Sequence, residues 1–293
     1  VKIFLTGASG YLGSALARQW AQSGHDLTLL LRPTSDLNRI SSILDRAEVL
    51  LLEDEADILK SIENTRPDFI VHAACSYGRR NESNIELIDT NLRLGMLILD
   101  AILVSGVSTK FVNTDTALPP KTNGYSLSKN QFVQWGRMLA ANSDGRVEFI
   151  NIVLQHMYGP HDSDSKFTSF VLRACQSNQQ TLELTSGEQT RDFIYIEDVV
   201  SAYDSILEYV YGGGEISTID IGSGLAPTIR EFVELVHLLT KSTTKLLFGA
   251  KPYRTNEVMH CVANLEKLNN LGWESSFNLH QGLIKTIQLE FDK

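Results

Sequence analysis

The stretch Val1-Lys2-Ile3-Phe4-Leu5-Thr6-Gly7-Ala8-Ser9-Gly10-Tyr11-Leu12-Gly13 decides the fold. A short run of strand character meets three glycines spaced GxxGxxG, and an amphipathic stretch over residues 11–23 follows at once. Glycines at these offsets let the backbone turn tightly and come close to a pyrophosphate. The first turn of the helix then offers free N–H groups and a partial positive charge to that anion. At a strand-to-helix junction the spacing predicts a dinucleotide site, with Gly7, Ser9, Gly10, Tyr11 and Gly13 against the cofactor.

The pattern continues outward from that loop. Strand-like runs lie near residues 26–31, 47–52, 69–73, 110–113 and 147–153, separated by helical stretches such as 84–105. Alternation of this kind reads as a parallel sheet covered on both faces, an α/β Rossmann fold with a doubly wound sheet. The second half is less regular, with helices expected at 166–177, 197–211 and 228–240. A strand at 216–221 returns to the sheet.

Composition narrows the function. The 293 residues are 43% hydrophobic and 21% charged, as in packed globular proteins. No apolar run nears the roughly 20 residues a membrane span needs, and the chain opens on a strand with no charged-then-apolar leader. The expectation is a cytoplasmic protein. Cys75, Cys175 and Cys261 show no CxxC spacing, which argues against disulfides and thiolate metal sites. A formal net charge of −9 disfavours nucleic acid as a partner. His156 and His161 are five residues apart with no third ligand at suitable spacing, so no metal site is expected.

The tip of the second strand bears on the cofactor. An acidic residue there would bind the ribose 2′-hydroxyl of NAD. The sequence reads Leu31-Arg32-Pro33-Thr34-Ser35 instead. Arg32 suits a 2′-phosphate, which points to NADP(H). Farther on, Tyr125 and Lys129 stand four apart, one turn along a helix face. A nearby ammonium favours phenolate and would lower the tyrosine pKa, giving a proton donor or acceptor near neutrality.

The glycine motif, this single YxxxK and Arg191-Asp192-Phe193 resemble the extended short-chain dehydrogenase/reductase family of nucleotide-sugar enzymes. The likeness spans residues 1 to about 275. It implies a hydroxyl at the end of the fifth strand that hydrogen-bonds the reacting oxygen. Thr116 occupies the family register and Thr114, on the same strand face, is the alternative. It implies that Lys129 also binds the nicotinamide ribose and that Ala73 lines the cofactor. It further implies that Arg191 and Arg254 grip a diphosphate, that Glu257 binds the nucleotide ribose, and that Tyr77, His156 and Phe167 contact the substrate. Ala117 and Leu118 stand where the family's 4,6-dehydratases carry Asp-Glu, so dehydration is not expected.

The stretches 75–82, 113–120, 166–169 and 187–195 are most similar to the reductases that finish CDP-paratose and CDP-abequose, the former more than the latter. The implied reaction is NADPH-dependent reduction of the C4 ketone of a nucleotide-linked deoxyhexose, CDP- or dTDP-linked. An NAD-bound 4-epimerase is the alternative. The resemblance also implies a homodimer through the helices at 84–105 and 125–141. The expected division is an NADP(H) domain over 1–160, with 192–222 returning to it, and a smaller mixed α/β substrate domain over 161–191 and 223–293.

Overall fold

The computed structural model describes residues 1–79 and 81–291. Arg80, part of the 75–82 stretch, lies outside them. In chain order the first elements are β1 (Lys2–Thr6), α1 (Tyr11–Gln22), β2 (Asp26–Leu31), a 3-10 helix (Asn38–Ile43), β3 (Glu48–Leu51), α2 (Ala56–Thr65) and β4 (Phe69–His72). Then come α3 (Asn84–Ile88), a π-helical turn (Asp89–Arg93), α4 (Leu94–Ser105), β5 (Thr109–Thr116), α5 (Gly124–Ala141) and β6 (Val147–Leu154). The remainder is β7 (His156–Tyr158), α6 (Phe167–Gln176), β8 (Thr181–Leu184), β9 (Phe193–Tyr195), α7 (Ile196–Tyr211), β10 (Thr218–Ile221), α8 (Ile229–Leu239), β11 (Lys245–Phe248), α9 (Glu266–Asn270) and α10 (Leu279–Phe291).

Seven strands form one sheet in the order β10-β6-β5-β4-β1-β2-β3. The pairings β1–β2, β1–β4, β2–β3 and β4–β5 are all parallel. The strand order reverses at β1, where β2 lies on one side and β4 on the other. This is the Rossmann arrangement, and the reversal opens a crevice at the carboxyl ends of the strands. Near-continuous apolar strands fit the two covered faces. On one face Phe4, Ile70 and Phe111 pack with Ile98 and Ile102 of α4 and Phe132 of α5. Phe111 stacks on Phe149 with centroids 5.6 Å apart.

The chain divides into two compact units, Val1–Val153 with Glu215–Ile219, and Leu154–Gly214 with Asp220–Lys293. Residues 192–214 therefore group with the second unit, where the sequence reading returned them to the first. The reason is a pairing that the sequence did not announce. β9 runs parallel to β7 in a two-stranded sheet of its own, with Tyr158 opposite Tyr195. Within the second unit, β8 and β11 form another parallel pair, and Phe193 stacks on Phe232 at 4.3 Å.

The helix expected over 84–105 is interrupted. Ser83 caps α3 through a reciprocal box with Glu86. The path then widens into one π-helical turn before α4. Such turns accommodate an extra residue and re-aim side chains. Here the turn carries Asn91 into the interior, fully buried. No helix among the described residues is long and apolar enough to cross a membrane.

Candidate active site

The glycine loop is shaped for close approach. Gly7 adopts φ +74°, a left-handed conformation that glycine enters without penalty. A Cβ there would lie 2.6 Å from the Ala74 nitrogen and 2.7 Å from the Ala73 carbonyl carbon. Ala73 thus borders the loop. A Cβ on Gly13 would lie 2.2 Å from the Gly7 carbonyl oxygen, so α1 rests directly on the loop. Gly10 caps α1 without a side-chain hydrogen bond, and the first turn holds no acid. The first N–H groups are left for an anion. A cradle that any Cβ would fill and an uncapped helix start fit a dinucleotide pyrophosphate.

The loop is tied to β4 through one hydroxyl. The Ala74 N–H donates to Thr6 Oγ1 at 3.2 Å, and Thr6 Oγ1 is 2.9 Å from His72 Nδ1. His72 is fully buried between Phe111 and Phe132, a packed residue at a strand end. Burial first, and the Lys129 charge second, lower its pKa to about 3.

Tyr125 and Lys129 share one face of α5. Asn123 starts that helix through a reciprocal box with Ser126: its side chain accepts from the Ser126 N–H at 2.9 Å. Lys129 is 1% exposed, and its Nζ has no hydrogen-bond partner among the described residues. A buried ammonium without a partner is costly and marks a place for a ligand oxygen. Burial lowers its pKa, while Cys75 and Asp115 act against that. The half-buried Tyr125 is hydrogen-bonded to the side chain of Thr116. Its phenol is pushed up, by burial first and then by Cys75, with Asp115 adding to the effect and Thr116 and Arg79 opposing it. The anticipated lowering by Lys129 does not appear. Desolvation outweighs the Thr116 hydrogen bond and the Arg79 charge.

Two further groups surround the tyrosine. The Tyr77 ring lies 5.0 Å from the Tyr125 ring, and the Arg79 guanidinium lies 5.4 Å from the Tyr77 centroid. Asn91, absent from the sequence reading, accepts from the Ser76 N–H at 2.7 Å and donates to the Ser76 carbonyl at 2.9 Å and to Ser128 Oγ at 3.0 Å. It braces the loop after β4 against α5. No sequence signal sets Asn91 apart, since Asp89, Thr90 and Arg93 surround it with other polar residues. Arg32 stands at the end of β2, exposed, with its N–H donating to Ser35 Oγ at 3.0 Å.

In the second unit Arg191, 7% exposed, pairs with Glu257 at 2.5 Å and donates to the Thr190 carbonyl at 2.7 Å. The structure thus brings together two residues that the sequence assigned separately. The adjacent Asp192 is fully buried and accepts from the N–H groups of Ser223, Gly224 and Ala263, fixing the segment that carries Arg191. Arg254 is exposed in a turn closed by the Glu257 N–H donating to its carbonyl at 3.1 Å. Phe167 begins α6 with its ring 6.0 Å from Phe232, and His156 begins β7 edge-on to Phe193 at 6.1 Å. Asp198 is a buried structural acid that accepts from the N–H groups of Ser276 and Phe277.

The chain is 30% identical to the CDP-abequose synthase of Salmonella muenchen over 99% of this chain and 98% of that one. It is 28% identical to the CDP-abequose synthase of Salmonella typhimurium over 96% and 95%. Among solved structures, the UDP-glucose 4-epimerase of Thermotoga maritima, determined with UDP-glucose, superposes with a TM-score of 0.83. That match covers 99% of this chain and 98% of the other at 19% identity, which speaks for the fold. The model of the NAD dependent epimerase/dehydratase family matches residues 3–222. With its glycine cradle, a tyrosine–lysine pair on one helix face and a Rossmann sheet, the chain belongs to the NAD dependent epimerase/dehydratase family of the extended short-chain dehydrogenases.

Proposed function

We infer that this protein is an NADPH-dependent reductase of the C4 ketone of a nucleotide-linked 4-keto-deoxyhexose. The substrate in this reading is CDP-4-keto-3,6-dideoxyglucose, and the product is CDP-paratose or CDP-abequose according to the face attacked. The observation that carries the reading is Tyr125, hydrogen-bonded to the Thr116 side chain and one helix turn from Lys129, whose buried Nζ has no hydrogen-bond partner among the described residues. The pair sets a phenol proton and a second hydroxyl where an oxygen gaining negative charge during hydride transfer could be met. The likeness to CDP-abequose synthases over nearly the whole chain supports the same class of substrate.

The residues divide the work as follows. Gly7, Ser9, Gly10, Tyr11 and Gly13 hold the pyrophosphate of NADPH, Ala73 borders it, and Arg32 meets the 2′-phosphate. Bound NADPH supplies the hydride. Tyr125 protonates the carbonyl oxygen as negative charge develops there, and Thr116 donates a second hydrogen bond to it. The hydrogen bond to Tyr125 favours Thr116 over Thr114 for this role. Lys129 binds the nicotinamide ribose and stabilises the phenolate left after proton transfer. Arg191 and Arg254 hold the diphosphate, with Glu257 fixing the Arg191 fork and accepting from the nucleotide ribose. Tyr77, His156 and Phe167 contact the sugar.

Transfer of label tests the reaction class. With NADPH deuterated at the nicotinamide C4, the reductase places one deuterium at C4 of the sugar for each NADPH consumed. Turnover without label in the product, by protein that carries its own nicotinamide, would instead establish the epimerase.

A further inference from the structure

We infer that Asp115 is a positioning residue for Lys129: held by a relay of two buried amides on β5 and β6, its carboxylate supplies the counter-charge to the buried ammonium. The catalytic consequence rests on the reductase reading above, and the charge of Lys129 is measurable apart from it.

The strands present matching rows of side chains to α5. Phe111 of β5 and Phe149 of β6 stack at 5.6 Å, and both rings meet Phe132 of α5, at 5.8 and 6.0 Å. Side chains alternate along a strand, so the residues two positions on face the same helix. On β5 that residue is Asn113 and on β6 it is Asn151, both buried. Asn113 Nδ2 donates to Asn151 Oδ1 at 2.7 Å. His72 of β4 is in register with Asn113 and lies 5.4 Å from the Phe132 ring, so it extends the row. Lys129 stands three residues before Phe132 on the same face of α5. Two positions beyond Asn113 on β5 comes the half-buried Asp115, whose Oδ2 accepts from Asn151 Nδ2 at 3.0 Å.

The carboxylate sets the direction of the relay. An ionised carboxylate only accepts, so Asn151 turns its NH2 group to Asp115 and its oxygen to Asn113. Asn113 gives its own NH2 group to Asn151, and its Oδ1 has no hydrogen-bond partner among the described residues. The same is true of Lys129 Nζ. Around Lys129 stand His72, Cys75 in the loop after β4, Asp115, and Tyr125 one turn back on α5. His72 is neutral at neutral pH, its pKa lowered to about 3 by burial first. Burial likewise lowers the Lys129 pKa, and Cys75 and Asp115 oppose that effect. Asp115 is the one carboxylate of this set, and it is anchored by Asn151 instead of by the lysine. A direct ion pair would hold the charge but engage the ammonium. A carboxylate fixed nearby favours the charged amine and leaves its N–H groups for a ligand oxygen.

The test is the titration of Lys129 in protein whose lysines carry 13C at Cε, read by NMR, its signal being the one lost in Lys129→Met. Wild type, Asp115→Asn and Asp115→Glu are compared. Asparagine keeps an oxygen for Asn151 and removes the charge, and glutamate keeps the charge. Thermal midpoints check that each variant folds, and Asp115→Ser replaces Asp115→Asn if that one fails. The expected result is that the Lys129 titration midpoint falls by about one pH unit in Asp115→Asn, with at least half of that fall restored in Asp115→Glu. An unchanged midpoint in Asp115→Asn, or an equal fall in Asp115→Glu, would overturn the role of Asp115. A purely structural effect would lower the thermal midpoint and leave the lysine titration where it is. In the reductase reading the alkaline limb of kcat against pH moves down together with the lysine midpoint. If the wild type oxidises no NADPH with either keto sugar at any pH, the reductase reading fails, and the lysine titration still decides the role of Asp115.

Discussion

The Asn91 amide donates to the Ser128 hydroxyl at 3.0 Å, and that hydroxyl donates in turn to the Tyr125 carbonyl at 2.9 Å. The same amide exchanges two hydrogen bonds with the backbone of Ser76. One buried side chain on a π-helical turn therefore sets both the loop before Tyr77 and the helix turn between Tyr125 and Lys129. Asn91→Leu removes these bonds and leaves the N–H and carbonyl of the half-buried Ser76 without the amide. Each buried group left unsatisfied costs about 1–3 kcal/mol. Denaturant unfolding should show a loss in that range or above. The kcat should fall more than NADPH affinity does, because the disturbed turn carries the proposed proton donor, Tyr125.

Tyr125→Phe removes the proposed proton donor and keeps the ring that packs against Tyr77. General acid catalysis contributes about 10²–10⁴-fold, so turnover should drop by that order. NADPH binding should stay within about twofold, since the phenol hydroxyl is not among the groups that hold the cofactor's phosphates. Steady-state kinetics alongside fluorescence titration would check both halves. A variant with near-normal turnover would remove Tyr125 from the mechanism.

Gly13→Ala tests the cradle. The added methyl would sit 2.2 Å from the Gly7 carbonyl oxygen and 2.7 Å from the Gly7 carbonyl carbon. Both obstacles are backbone, so α1 and the loop must separate. Overpacking of this kind costs about 1–3 kcal/mol. The thermal midpoint should fall, and NADPH affinity should fall with it because the N–H groups of the first turn lose their aim.

The buried His72 gives the fold a pH dependence. Its ring binds a proton with a pKa near the ordinary 6.5 when unfolded and only at about 3 when folded. Between those values the unfolded state holds the extra proton, so stability falls as pH drops. The slope is about 1.4 kcal/mol per pH unit for one proton. Above pH 6.5 the ring is neutral in both states and the loss is absent. Urea unfolding between pH 7.5 and 5 should therefore show a steeper decline in the wild type than in His72→Gln, which carries no titrating ring. Parallel declines would show that His72 is not held neutral.

The Rossmann half was legible because its signals are local. Gly7, Gly10 and Gly13 are needed at fixed offsets from one strand, and Tyr125 and Lys129 are separated by one helical turn. Each of these readings depends on backbone geometry over a few residues. The second unit was harder to read because its short strands owe their existence to distant partners. β7 and β9 are three residues each, and neither shows an alternating pattern long enough to recognise. Asn91 was missed for a related reason. Its three hydrogen bonds reach Ser76 and Ser128, 15 and 37 residues away, and depend on a π-helical turn that hydrophobic spacing does not reveal. The direction of the Tyr125 shift was missed because a YxxxK spacing reports the neighbouring charge and says nothing of burial.

The most direct measurement is NADPH oxidation by the purified protein, given CDP-4-keto-3,6-dideoxyglucose and dTDP-4-keto-6-deoxyglucose in parallel. The account predicts fast turnover with the CDP sugar, NMR of the product then showing which C4 epimer is made. Turnover with the dTDP sugar alone would contradict the assigned substrate, and oxidation with neither would contradict the ketoreductase itself.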